Sequence, residues 1–356
     1  MSHRPHTLYL HIGLHKTGTS AFQRTVAQVA DKQSFVYPDF NERVEGDFSH
    51  NIVVGYMHTH RKICSEIPAT NIQTEPITHE MLKLRELFFD QLRTTSVLLS
   101  AEEFSKELLD EDHSRRWQEL FSYFQTVRVA LVLRRYDHLW NSVASEIVKT
   151  SFHGNMLIDR SSGEYPVYDV SSLLKIIRSF GWQIDIFSYD RLTKQQALIP
   201  RLLTWCGLEP SDMPSDLLTT RVNRKFHRRK SLFCSMLDKT SMSELDKVAL
   251  VKSISACTAI VDDGEDFLYS PQELDAFYTS TKQLNAAALA TAGIFDIDDF
   301  FNYEALTPNL NWTPPRAPTA AEITAAREEI MEDTGIDIRD ICLDHHTIYP
   351  YKQCNF

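Results

Sequence analysis

Glycine is scarce in this chain, 11 of 356 residues, and proline contributes only 14. Together they are too few for a collagen-like, linker-dominated or largely disordered protein. There are six cysteines, Cys64, Cys206, Cys234, Cys257, Cys342 and Cys354, and no two form a CxxC pair. Their scatter predicts reduced, structural thiols and no disulfide framework. HExxH is missing, and His58/His60 and His345/His346 lack Cys or carboxylate partners at ligand spacing. No metal is therefore expected. The longest apolar runs, such as Val129–Leu133, are strand-sized, so no membrane span is expected. The opening MSHRPHTLYLHIG lacks the features of a signal peptide, which predicts a cytoplasmic location. Positive charge is short as well: 37 Lys and Arg against 48 Asp and Glu, a net charge of -11. That balance excludes general nucleic-acid binding and leaves room for one local anion site.

What is present alternates strand and helix. Thr7–Gly13, Thr95–Ser100, Val127–Leu133 and Trp182–Ser188 are apolar, β-rich and short. Helical stretches follow at Thr19–Ala30, Asp137–Lys149 (Leu139, Val143 and Ile147 on one face) and Ala197–Cys206. Such alternation predicts βαβ units and a parallel sheet. Beyond Ser243 the pattern turns mostly helical, over Glu244–Val261, Pro271–Ala290 and Ala320–Glu332, with a proline-rich connector at Thr307–Pro318. The expectation is an α/β core over residues 1–240 and a mainly helical extension over 241–356, packed on the same domain.

The junction after the first strand carries the strongest signal: His11-Ile-Gly-Leu-His-Lys-Thr-Gly-Thr-Ser20. A strand that gives way to a helix places backbone N–H groups and the helix dipole together, which makes an anion site. Gly13 and Gly18 have the separation of the nucleotide-phosphate motif GxxxxGK[ST], and Ser20 is in place. Thr19 stands where that motif has lysine, and the lysine sits earlier, at Lys16.

LHIGLHKTGTS closely resembles the 5′-phosphosulfate loop of the sulfotransferases that use 3′-phosphoadenosine-5′-phosphosulfate (PAPS). The likeness is greatest to the bacterial branch with H-K-T-G-T loops and extends to the carbohydrate sulfotransferases. It implies a P-loop-like parallel sheet flanked by helices, with PAPS as donor and no metal. By that resemblance Lys16 binds the phosphosulfate bridge. His15, Thr17, Gly18, Thr19 and Ser20 complete the loop around the 5′-phosphate.

Further segments agree. Leu133-Arg-Arg-Tyr-Asp-His-Leu-Trp-Asn-Ser142 has an Arg at a strand end and a Ser eight residues on. The resemblance gives Arg134 and Ser142 the nucleotide 3′-phosphate, with Arg135 as a register alternative. Ile186-Phe-Ser-Tyr-Asp-Arg-Leu192 is similar to the family's strand that ends in Tyr-Glu-x-Leu, which puts Tyr189 beside the adenine. Asp190 departs from that pattern. The run Arg221–Lys230 is basic at six of ten positions, and the family's late basic loop assigns Arg228 and Arg229 to the donor phosphate.

The base that takes the acceptor's proton is expected at Glu102, in Leu99-Ser-Ala-Glu-Glu-Phe104. His50, in Phe48-Ser-His-Asn51, is its competitor. The reaction implied is transfer of a sulfuryl group to an acceptor hydroxyl or amine, on a carbohydrate or glycolipid. A P-loop phosphoryl-transfer kinase and a non-catalytic nucleotide-binding protein are the alternatives. The acceptor, the oligomeric state and the role of the helical C-terminal third are left open by the sequence.

Overall fold

A computed structural model describes residues 7–14, 16–29, 35–37, 96–122, 124–150, 169–215, 218, 226–237, 239, 242–264, 268–303, 313, 316 and 318–338. The chain divides into two compact units. The first draws on Met1–Arg135, Pro166–Val222 and Ser280–Glu304, the second on Tyr136–Tyr165, Asn223–Thr279 and Ala305–Phe356.

The first unit is a parallel sheet with helices. Its strands are β1 (Thr7–His11), β2 (Phe35–Val36), β3 (Ser96–Ser100), β4 (Thr126–Leu133) and β5 (Gln183–Ser188). They lie in the order β2-β3-β1-β4-β5, and every neighbouring pair is parallel. A strand inside such a sheet is covered on both faces and reads as a continuous apolar run. β4 does so: Val129 to Leu133 are all buried. β5, at the edge, keeps Gln183 and Asp185 among its apolar residues.

Among the described residues this unit holds the helices α1 (Thr19–Val29), α2 (Phe104–Glu107), α3 (Glu111–Phe121), α5 (Val170–Ser179), α6 (Tyr189–Lys194), α7 (Leu198–Trp205) and α11 (Ile297–Phe301) and the later part of α10 (Pro271–Thr291), while α4 (Tyr136–Thr150) belongs to the second unit. Phe22 and Val26 of α1 pack with Leu198, Leu202 and Leu203 of α7 over Leu98, Ala130 and Val132 of the sheet. Polar side-chain caps start α3, α5, α6 and α11. Asp110 accepts from the His113 N–H to open α3, and Asp169 accepts from the Ser172 N–H to open α5.

The second unit is helical among its described residues. It holds α4, α8 (Arg228–Ser235), α9 (Glu244–Ala256), the first part of α10 (Pro271–Thr291) and α12 (Ala320–Thr334). Phe233, Leu250, Ile254, Ala326 and Ile330 form its core. α9 stops five residues before the expected Val261, because Cys257 turns to φ -50 and ψ 130. α12 opens on a reciprocal cap between Thr319 and Glu322 and closes on Gly335 at φ 74, a left-handed conformation that suits glycine.

Three of the six cysteines lie within the described residues, Cys206, Cys234 and Cys257, and none is in a disulfide. Burial pushes the Cys206 thiol up to about 12.

Candidate functional site

In a parallel sheet all carboxyl ends face one edge. Here the chain leaves β1 for β2 and β3 on one side, and later fills β4 and β5 on the other. The crevice beside β1 and β4 is therefore a topological switch point, where ligands of open α/β sheets bind. Four of the residues expected in the site follow four of these strand ends: Lys16 after β1, Glu102 after β3, Arg134 after β4 and Tyr189 after β5.

The loop after β1 is held from both sides. Ile12 and Leu14 donate to the carbonyls of Ala130 and Val132, at 3.0 and 3.4 Å, and Ala101 donates to the His11 carbonyl at 3.1 Å. The backbone then turns back through two left-handed residues, Lys16 at φ 64 and Gly18 at φ 82. For a non-glycine residue that conformation costs about 1 kcal/mol or more, and such strain collects where a loop must cup a ligand. α1 starts at once: Ala21 and Phe22 donate to the Gly18 carbonyl at 3.1 and 3.2 Å. The first N–H groups of a helix have no intrahelical acceptor, so the α1 amino end faces the crevice as a donor array.

Gly13 is fixed by space. A Cβ there would lie 2.9 Å from both the Thr17 and Thr19 hydroxyls and 3.1 Å from His11 Nε2. The Thr17 hydroxyl donates to the Leu14 carbonyl at 2.5 Å and locks the turn. The Thr19 hydroxyl is buried and has no partner among the described residues. Such an atom costs about 1–3 kcal/mol until something pairs with it. Ser20, the next residue, is exposed.

Beneath the loop sits a residue that the sequence reading passed over. His11 is buried, with Nδ1 2.7 Å from the Ser100 hydroxyl and Nε2 without a partner. Burial holds its pKa down at about 3, so the ring is neutral. Gln23 of α1 donates to the Ser100 carbonyl at 2.9 Å from the same layer. The available signal was a histidine closing an otherwise apolar strand directly ahead of the glycine loop.

The adjacent arginines after β4 separate cleanly. Arg134 donates to the Lys16 carbonyl at 3.0 Å, and its guanidinium lies 5.0 Å from the centre of the Tyr189 ring. Its Nε is buried without a partner, and it pairs with no carboxylate among the described residues. Arg135 is buried and faces the Tyr303 ring at 4.6 Å, while its N–H donates to Asp190 at 2.6 Å. Among the described residues it is Arg134 that bonds to the loop. Tyr189 also touches the loop, since a Cβ on Gly18 would lie 3.3 Å from its ring.

Of the two glutamates after β3, Glu103 pairs with Lys106 at 3.0 Å on the surface. Glu102 is half-buried, and its carbonyl accepts from the Ser105 hydroxyl at 2.8 Å.

Three expected residues belong to the second unit. Ser142 is half-buried on α4, in the second unit. Arg228 and Arg229, expected on the donor phosphate, instead form the buried first turn of α8 in that unit. Cations at a helix amino end oppose its dipole. Each is neutralised by a carboxylate of its own unit: Arg228 by Asp263 at 2.8 Å and Arg229 by Glu322 at 2.7 Å. Both also donate to backbone carbonyls, Arg228 to Thr313 and Arg229 to Val261. Both cations are thus paired within their own unit. His15, His50 and residues 221–225 of the basic run lie outside the described residues.

Among the described residues no group of three or more His, Cys, Asp or Glu is arranged to hold a metal ion, and no helix is long and apolar enough to cross a membrane. Compared with known protein families, with curated proteins and with solved structures, the chain matches none.

Proposed function

We propose that this protein is a PAPS-dependent sulfotransferase that transfers a sulfuryl group to an acceptor hydroxyl or amine. One observation carries the reading. A left-handed lysine stands inside a tight loop at a helix amino end, at the switch point of a parallel sheet, and an arginine with no carboxylate partner among the described residues is bonded to that loop. The sequence resemblance of the loop supplies the rest, including the carbohydrate or glycolipid class of the acceptor.

In this reading the α1 amides and the Thr19 hydroxyl hold the 5′-phosphate. Lys16 meets the bridging oxygen on which charge develops as the sulfur–oxygen bond breaks, the place where a fixed cation stabilises the transition state most. Arg134 takes the 3′-phosphate and Tyr189 the adenine. Glu102 accepts the proton that the acceptor loses as its oxygen or nitrogen bonds to sulfur. The leaving group is 3′-phosphoadenosine-5′-phosphate (PAP), and no metal is needed for charge balance.

The decisive experiment is a melting-temperature comparison with PAP and with ATP. A ligand at a hundred times its dissociation constant adds about 2.7 kcal/mol of stability. PAP should raise the melting temperature and ATP should not. A response to ATP with magnesium and none to PAP replaces this reading with phosphoryl transfer.

A further inference from the structure

His11 Nε2 and the Thr19 hydroxyl both belong to side chains more than nine-tenths buried, and neither atom has a partner among the described residues. Both converge on one spot, 3.1 and 2.9 Å from the position a Cβ on Gly13 would take. The other ring nitrogen of His11 is engaged, with Nδ1 2.7 Å from the Ser100 hydroxyl. A neutral imidazole carries hydrogen on one nitrogen and accepts on the other. Buried polar groups are nearly always paired, so two orphans under an anion loop mark contacts that a ligand completes.

The geometry points to His11 as a positioning residue that turns the Thr19 hydroxyl onto the bound anion, an inference that rests on the donor reading for the identity of that anion. The direction of each bond follows from the protons. An anion only accepts, so Thr19 gives it the hydroxyl hydrogen. A small shift of Thr19 onto the anion then lets its oxygen accept from the N–H at His11 Nε2, a bond that the structure described does not yet contain. With hydrogen on Nε2, Nδ1 is an acceptor, and the Ser100 hydroxyl donates to it. The chain Ser100 to His11 to Thr19 to anion thus runs in one sense. Ser100 ends β3, two residues before Glu102, so the same chain ties the loop to the strand that carries the proposed base.

The test measures affinity for PAP, and for inorganic pyrophosphate as a second probe, in the wild type and in variants of His11 and Thr19. In His11→Gln the amide nitrogen replaces Nε2 and keeps a donor toward Thr19. In His11→Asn the side-chain oxygen replaces Nδ1 and keeps only the Ser100 contact. His11→Gln should stay within about twofold of the wild type, while His11→Asn and Thr19→Val each weaken binding about tenfold. Combining His11→Asn with Thr19→Val should cost no more than Thr19→Val alone. Equal losses in the Gln and Asn variants, or additive losses in the double variant, overturn the inference. A nitrogen-15 histidine spectrum of the PAP-bound wild type needs no substitution and should show hydrogen on Nε2; hydrogen on Nδ1 overturns it. If pyrophosphate follows the expected pattern while PAP does not bind, the donor reading falls and the role of His11 stands. If the wild type binds neither anion, both fall.

Discussion

Arginine is used in opposite ways in the two units. In the second, Arg228 and Arg229, in the buried first turn of α8, each have a carboxylate and backbone carbonyl partners. In the first, Arg134 has, among the described residues, one carbonyl, one aromatic ring and a buried Nε without a partner. The first arrangement is electrostatically complete and the second is not. An incomplete set of donors beside other unpaired donors is what a site for an outside anion requires. Net charge hides this contrast, since a sum of -11 does not say which cations have carboxylate partners.

The sharpest way to break the contrast is to remove one cation from each side. Arg228→Ala takes the buried guanidinium away from Asp263 and should destabilise the protein by about 3 kcal/mol in denaturant titration, with PAP affinity of the folded protein kept. A loss of PAP affinity without loss of stability would mean that the basic run reaches the donor after all. Lys16→Ala should do the reverse: stability stays, and kcat/KM for sulfuryl transfer falls by about 3 kcal/mol of transition-state stabilisation. Near-normal turnover in that variant removes Lys16 from the site.

Glu102→Gln comes next, with kcat at least ~100-fold lower and PAP affinity retained. Should it stay active while His50→Ala is dead with PAP binding intact, His50 is the base. Arg134→Ala has a smaller effect that is measured as selectivity. Its affinity for PAP should fall about tenfold more than its affinity for adenosine 5′-phosphosulfate, which lacks the 3′-phosphate. Equal weakening of both would leave Arg134 as a prop for the Lys16 carbonyl alone.

The same contrast explains what the sequence made legible. β1, β3 and β4 are apolar runs bounded by polar residues, and the loop carries its own spacing, so each is readable from adjacent residues. β2 is two residues long, Phe35–Val36, too short for any pattern, and is defined by its pairing with Ser96 and Val97. α3 reads as polar surface, with Trp117 and Phe121 its buried aromatic anchors. α8 reads as a basic loop because the charges that cancel it lie 35 and 93 residues away, at Asp263 and Glu322. His11 was hidden for the same reason, its partner Ser100 being 89 residues distant. Local pattern finds elements, and long-range pairing decides which charges are left for function.

The smallest effect separates the units by pH. His11 has its pKa lowered to about 3, so the unfolded chain binds a proton near 6.5 that the folded protein refuses. Its contribution is intact above that value and is lost as pH falls from there toward 3. Between pH 7 and 5.5 this amounts to about 1 kcal/mol. Glu322 has its pKa lowered to about 2, first by its hydrogen bond from Arg229, so its contribution is intact above about 4.5 and is lost only below that. His227, in the second unit, is lowered by burial as well, so the comparison is made between variants and not on the wild-type slope. Denaturant titrations at pH 7, 5.5 and 4 are expected to show His11→Gln flatter than the wild type already between pH 7 and 5.5. Over that interval Glu322→Gln should run parallel to the wild type and diverge from it only at pH 4. A His11→Gln curve parallel to the wild type throughout would mean that folded and unfolded chains protonate His11 equally readily, and that burial does not hold the imidazole neutral as its acceptance from Ser100 requires.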